Sequence, residues 1–336
     1  MTTSPVAEVG VLPTPRGELS AAVNDVLSRP PGSSVPRLPE LDPYGEDFQL
    51  ALHTCYELHY HGYGPVDTGW EWDPGLLTLR SAMEKRYLRA LHDDVPGGAD
   101  LDAELERMLV TPAEETGVSA FLRDEGQPWQ LREYFVQRSI YHHKEADPYA
   151  WVIPRLRGQA KASLVAVEFD EFGGGRGDRV HARLYADLLA GAGLDPGYLR
   201  YLDLVPAPML ALVDMMSLFG LHRAWRGALV GHFASVEITS PPGARRMVQA
   251  IGRWDEFDPA CALFYDEHVE ADAVHEQVMR EVIIDLLDRE PELRESVVFG
   301  IQVTDLLEDR LGDLLLGSWR AERTSLREPL PVVDRD

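Results

Sequence analysis

The sequence predicts an all-α bundle. From Tyr44 to about Leu316 apolar residues recur at three- and four-residue intervals. Strand-like alternation is nearly absent. Clusters of Gly, Pro and Asp punctuate the helical stretches, as at Gly97-Gly98, Asp195-Pro196-Gly197 and Pro241-Pro242-Gly243. Between these breaks candidate helices fall at 45–60, 74–94, 100–110, 116–123, 128–146, 158–171, 177–192, 208–219, 221–236, 241–253, 257–288 and 291–314.

The elements then fall into three parts. Residues 1–43 carry eight prolines and read as an arm with little fixed structure, apart from a short docked helix over 18–28 marked by Leu19, Val23, Val26 and Leu27. Residues 44–318 form the helical domain. Residues 319–336 form a tail, charged and proline-bearing from Arg323 and expected to be loose.

A hydrophobic fraction of 45% is enough for a substantial core. Thirty-two Lys and Arg against 56 Asp and Glu give a net charge of -24. That surface repels phosphate backbones and anionic bilayers, so neither nucleic acid nor a membrane is expected as partner. It suits a cationic redox partner better, although solubility alone explains most of it. The two cysteines, Cys55 and Cys261, make neither a disulfide framework nor a thiolate metal site, which fits a reducing, cytoplasmic compartment. There is no basic start followed by an apolar stretch, and no run of bilayer-spanning length.

The chemistry-bearing residues come in three groups. His268, Asp272 and His275 fall within an arc of roughly 60° on a helix and share a stripe with Phe264, Met279 and Val282. Two imidazoles and a carboxylate on such a face are costly without a partner, and a divalent iron, manganese or zinc supplies one. A solvated polar face is the competing reading, because Asp266, Glu267, Glu270 and Glu276 lie in the same stretch. Glu171 and His181 each face inward with apolar neighbours, and Gly173-Gly174-Gly175 between them permits the break that turns one toward the other. Alone, His181 reads as a core histidine. Glu145 continues the stripe Leu131, Tyr134, Arg138, Tyr141, or else caps a helix end before Pro148. Together three carboxylates and three histidines on inward faces match a two-metal site in a helical bundle.

These residues resemble those of the heme-oxygenase-like diiron oxidases and oxygenases, the iron-containing redox enzymes. The matching strings are GWEWDP (69–74), KEADPYAWVIPRLRGQAKASLVAVEFDEFGGGR (144–176) with His181 after it, and HVEADAVH (268–275). The resemblance runs from about 45 to 315. It implies a heme-oxygenase-like helical bundle, here with extra N-terminal helices and no heme. By this resemblance Glu145, Glu171, His181, His268, Asp272 and His275 are the metal ligands. The cofactors implied are two Fe(II) ions, or a Mn/Fe pair, with O2 as co-substrate. The implied activity is oxidation of a small amine, amino-acid or fatty-acid-like substrate in a natural-product pathway.

Electrons must come from an external donor, since no flavin or NAD fingerprint is visible; the glycines near 173 follow a helix, not a strand. Glu168, one turn before Glu171, is the candidate catalytic residue facing metals or substrate. Tyr141 and Tyr185 read as core, and Arg138 as an ion-pair partner or a substrate-carboxylate ligand. His53 lies on an apolar stripe, while His59 and His61 read as solvated. Two rival readings stand beside the oxidase: a heme-binding or heme-degrading protein using one of these three histidines, and a metal-stabilised binding module without turnover, with the tryptophans of 69–74 as its interface rather than as core. A homodimer is compatible with either.

Overall fold

The computed structural model describes residues 10–109 and 116–331, with the side chains of 270–274 outside that set. Among the described residues there are helices and no strands. In chain order the helices are α1 (Glu18–Leu27), α2 (Glu46–Glu57), α3 (Pro74–Asp94), α4 (Leu101–Leu109), α5 (Val118–Asp124), α6 (Pro128–His142), α7 (Asp147–Ala150), α8 (Gly158–Glu171), α9 (His181–Gly191), α10 (Ala207–Leu221), α11 (Arg226–Ile251), α12 (Ala260–Arg289) and α13 (Arg294–Arg320). No described helix is long and apolar enough to cross a membrane.

Local chemistry sets many of the boundaries. Asp73 accepts from the Leu76 N–H at 2.9 Å, and Pro74 takes the first helical position, where its missing N–H costs nothing. α10 is buried on nearly every side, as a helix apolar all round must be. α12 packs against α11, α8 and α9, and α11 packs in turn on α13. Glycine makes the last contact close. A Cβ on Gly231 would meet the Val297 carbonyl, and one on Gly300 the Ala228 carbonyl, so the α11 and α13 backbones touch where they cross.

Three expectations are corrected. The helices expected at 221–236 and 241–253 are one helix, α11, which runs through Pro241 and Pro242. Each proline removes an N–H that would bond four residues back, so the carbonyls of Glu237 and Ile238 lose their helical donors, yet packing against α12 and α13 carries the helix on. The helix expected to reach 146 stops at His142. Ala146 takes φ 77° and α7 starts at Asp147 with Pro148 in its first turn, so Glu145 sits in a turn and not on a helical stripe. The two ends are docked rather than loose over their described parts. Thr14 bonds Asp203, α1 buries Leu19, Val23, Val26 and Leu27, and Ser325 and Thr324 donate to Glu133.

Trp70 is core, with its indole N–H donating to the Arg29 carbonyl at 2.8 Å, while Trp72 stands 63% exposed. His59 is buried rather than solvated and is held between Glu71 and Arg80. Both cysteines are free and buried, and burial pushes the Cys55 thiol up to about 12.

Candidate metal centre

Four elements deliver side chains to one buried volume: the turn after α6 (Glu145), the end of α8 (Glu171), the start of α9 (His181), and α12 (His268, His275). The Gly173–Gly175 turn does what the sequence required of it. Gly173 and Gly174 at φ 75° and 60° reverse the chain, so that Nδ1 of His181 comes within 2.7 Å of Oε2 of Glu171. The two atoms are not aligned for a hydrogen bond. Two metal-binding atoms held this close, one on a carboxylate and one on an imidazole, make an arrangement that a cation could take over from a proton.

His268 is oriented by its own helix. Its Nδ1 must donate to the Phe264 carbonyl, 2.7 Å away, because a carbonyl only accepts. In the neutral ring this leaves the Nε2 lone pair facing Oε1 of Glu145 at 3.6 Å, with the His181 ring 4.5 Å away between centroids. The other oxygen of Glu145 meets Nδ1 of His142 at 3.0 Å. Burial alone would raise the Glu145 pKa, but His142 and His268 overcome it and hold the carboxyl well below its ordinary range. For His181 likewise, burial opposes the proton and Glu171 outweighs burial.

The structure adds a donor that the sequence reading missed. Glu237, on α11, is buried and its Oε2 lies 3.0 Å from Nδ1 of His275. The same nitrogen is 3.9 Å from Oε1 of Glu171, and Nε2 of His275 is 3.2 Å from Oδ2 of Asp170. Burial opposes charging His275, but Glu237, Asp170 and Glu171 together raise it to about 9.

The donors therefore fall into two sets: Glu145, Glu171, His181 and His268 in one, and Glu171, Glu237 and His275 in the other, with the ligand atoms of each set within 4.8 Å of one another. Glu171 belongs to both. Five of the six residues expected from sequence converge here. The sixth, Asp272, has a side chain that lies outside the described residues. Glu168 also points inward. It is 2% exposed, and neither of its oxygens has a hydrogen-bond partner. Burial first, then Glu171 and Glu237, push its pKa up to about 9.

A cavity of about 430 Å³ opens against this cluster, reaching Glu145, His268 and Glu237 from the side of α11 and α13. Its wall includes Tyr141, from which a directed chain of hydrogen bonds leads away. The Thr304 hydroxyl donates to the Gly300 carbonyl at 2.7 Å, so it accepts from Nδ1 of His232 at 2.8 Å. Nε2 of His232 then accepts from Tyr149 at 3.0 Å, and Tyr149 from Tyr141 at 3.2 Å. Tyr185 donates to the Phe135 carbonyl and is core. Arg138 is gripped by Glu308 through two bonds of 2.8 and 2.5 Å. Neither Arg138 nor His53 joins the donor sets. His53 is fully buried against Asp214 at 2.8 Å, where burial holds it well below its ordinary pKa.

A family model described as iron-containing redox enzyme matches residues 132–309, more than half of the chain. The chain belongs to the iron-containing redox enzyme family. The matched span holds every donor named above, and membership makes the protein an iron-dependent oxidoreductase on an all-α heme-oxygenase-like fold. No curated protein matches the chain. The residues of this iron-containing redox enzyme fit the metal on their own chemistry: the contacts described for Glu145 and Glu171 are with imidazoles, not with Lys or Arg, and mixed imidazole–carboxylate sets suit iron and manganese.

Proposed function

We propose that the protein holds two ferrous ions side by side, or a Mn/Fe pair, and uses them with O2 to oxidise a small organic substrate. The observation that carries this reading is the double membership of Glu171, a carboxylate with two oxygens standing between two donor sets. The carboxylates of Glu145, Glu171, Glu237 and Asp272 together balance two divalent cations, whereas the metal-free site crowds like charges in a poorly solvated interior.

In this reading Glu145, His181 and His268 would hold one ion and Glu237 and His275 the other, with Glu171 available to both. Asp272 is proposed as a further ligand on the strength of its position between His268 and His275. Two ferrous ions so held supply the electrons and the binding place for O2. The chain does the rest. The Phe264 carbonyl fixes the His268 ring. His142 holds the outer oxygen of Glu145. Glu168, buried and without a hydrogen-bond partner, would keep a proton one helical turn from Glu171 and offer it to the site. The cavity places the substrate against Glu145 and His268. Further reducing equivalents come from an external donor.

The test is iron content followed by oxygen exposure. Protein loaded with Fe(II) under argon is expected to hold about two irons per chain and, on mixing with O2, to consume it with a transient visible absorbance. Binding of fewer than two metals per chain defeats the two-ion reading. Two irons without O2 consumption, with or without an added substrate, leave a metal-stabilised module. A Soret band on hemin addition that survives loss of His268 and His275 points to heme instead.

A further inference from the structure

The hydrogen-bonded chain Tyr141, Tyr149, His232, Thr304 starts at the cavity wall and has one sense only. Because Thr304 donates to a carbonyl, Nδ1 of His232 carries the hydrogen and Nε2 is left as a base, with the Tyr149 hydroxyl donating to it. We infer that Tyr149 is a redox-active residue, which gives one electron to the iron centre during O2 reduction while its phenol proton passes to Nε2 of His232. The inference rests on the diiron reading only for the oxidant.

O2 on its way to water takes more electrons than two ferrous ions can give. Substrate supplies the rest when the cavity is filled; when it is empty, a side chain that gives up an electron reversibly spares the ligands. Tyr141 is placed to lead that electron out. It lines the cavity with Glu145 and His268, and its ring lies 4.7 Å from that of His142, the imidazole bonded to Glu145. Its hydroxyl is 3.2 Å from that of Tyr149. In the step, the O–H bond of Tyr149 breaks and an N–H bond forms on His232. Tyr149 is left a neutral radical whose oxygen still accepts from Tyr141, and the electron reduces oxygen at the iron. The new imidazolium meets the carboxylate of Glu308, which acts against burial at that ring.

The proton has to travel with the electron. Both phenols are buried, and burial above all holds them well above their ordinary pKa, so neither ionises beforehand. An oxidised phenol that kept its proton would be an uncompensated buried cation. A base in contact removes that cost, and His232, although burial holds its pKa at about 4, is a far stronger base than an oxidised phenol. Other phenols nearby lack one. The Tyr185 ring is 4.5 Å from that of His142, but its hydroxyl bonds the Phe135 carbonyl at 2.8 Å, which accepts a hydrogen bond and takes no proton. Tyr265 lines the cavity with no hydrogen-bond partner at all. Beyond His232 the chain ends on the Gly300 carbonyl, so the proton has no onward route. It waits on His232 and returns when the electron does, which makes Tyr149 a store and not a wire.

Electron paramagnetic resonance decides the matter. Protein loaded with Fe(II) under argon is mixed with O2 in the absence of substrate and frozen at set times, with iron content and O2 consumption measured on the same sample. A tyrosyl radical is expected, and is expected to be missing from Tyr149→Phe at unchanged iron content. His232→Gln keeps a hydrogen-bond acceptor but removes the base, and is expected to slow formation of the radical about a hundred-fold. Tyr185→Phe is expected to leave the signal as it is. Hexachloroiridate, a one-electron oxidant, carries the same test to the metal-free protein, where a long-lived radical is again expected in the parent and not in Tyr149→Phe. A radical that survives Tyr149→Phe overturns the inference, and so does one that forms as fast in His232→Gln. A radical with hexachloroiridate in a chain that holds no iron pair sinks the diiron reading and leaves this one standing; two irons and O2 consumption without a radical by either route do the reverse.

Discussion

Two buried polar clusters meet at the turn after α6, and neighbouring residues serve one each. Lys144 points one way, into Glu57, with Tyr198 donating to the same carboxylate at 3.1 Å and the Tyr60 ring 4.6 Å from the ammonium. Close by, Arg80 pairs with Glu84 at 3.1 Å. Glu145 points the other way, into the imidazoles and carboxylates of the metal-ligand cluster. The first cluster brings its own permanent cations. In the second, the contacts described for Glu145, Glu171 and Glu237 are with histidines, whose positive charge is a removable proton. Lys and Arg keep their charge and close the first cluster, whereas the protons on the second cluster's imidazoles can be displaced, which leaves that cluster open to the cation proposed above.

The largest effect should follow from removing the shared carboxylate. Glu171→Gln keeps the shape and deletes the charge, and iron content is expected to fall from about two per chain to below one, with O2 consumption lost. The metal-free protein should melt no lower than the parent, because the charge removed lay beside Glu168 and Glu237. Lys144→Met should do the opposite. It leaves Glu57 charged and unpaired in a site both of whose side chains are at most 1% exposed, a loss of about 4 kcal/mol by chemical unfolding. Iron per folded chain should stay near the parent value. If Lys144→Met instead strips the iron at little cost in stability, the division between the clusters is wrong.

How far this division was legible in the sequence depends on the residue. The α12 pair and the Glu171–His181 pair were readable because apolar stripes and a glycine run said where the side chains had to face. Glu237 was not. The prolines at 241 and 242 read as a boundary, which put Glu237 in a connection between two helices; only tertiary packing carries α11 through them. The available signal was a glutamate one turn after Phe233 and seven residues before Ala244, on a stripe that is otherwise buried. The position of Glu145 was found, but its setting was not, because no local pattern announced φ 77° at Ala146. The helical class itself needed only periodicity. The docking of residues 10–43 and 319–331 depended on distant partners such as Asp203 and Glu133, which no local window contains.

His232 tests a third kind of buried polar group, one that is neutral and fully bonded. Burial, opposed weakly by Glu308, holds its pKa at about 4 against an ordinary 6.5. The unfolded chain therefore takes up a proton that the folded chain refuses between those values. The stability this group contributes is fully present above pH 6.5 and is lost as pH falls through 4, amounting to about 3 kcal/mol at most. Urea unfolding of the metal-free protein across that window should show the loss, and His232→Gln should flatten it. An unchanged slope in the variant would place the acid sensitivity elsewhere.

The smallest effect is the most discriminating about how the metal-ligand cluster is built. Gly174 stands at φ 60°, and a Cβ there meets nothing nearer than the Phe169 ring at 3.7 Å, so Gly174→Ala adds backbone strain of about 1 kcal/mol without a clash. Where that strain appears depends on what holds the loop between Glu171 and His181. The loop is bonded to itself, Arg176 N–H to the Gly173 carbonyl at 3.0 Å and Arg179 N–H to the Arg176 carbonyl at 2.9 Å, and Gly173 is pressed against the Arg179–Val180 backbone. The chain therefore sets the His181–Glu171 approach before any ion arrives. The expected result is a metal-free melting temperature lowered by about 2 °C with iron affinity unchanged. A melting temperature that holds while iron affinity drops about five-fold would mean that the ions assemble this half of the cluster, and that its incompleteness without them extends from its charge to its geometry.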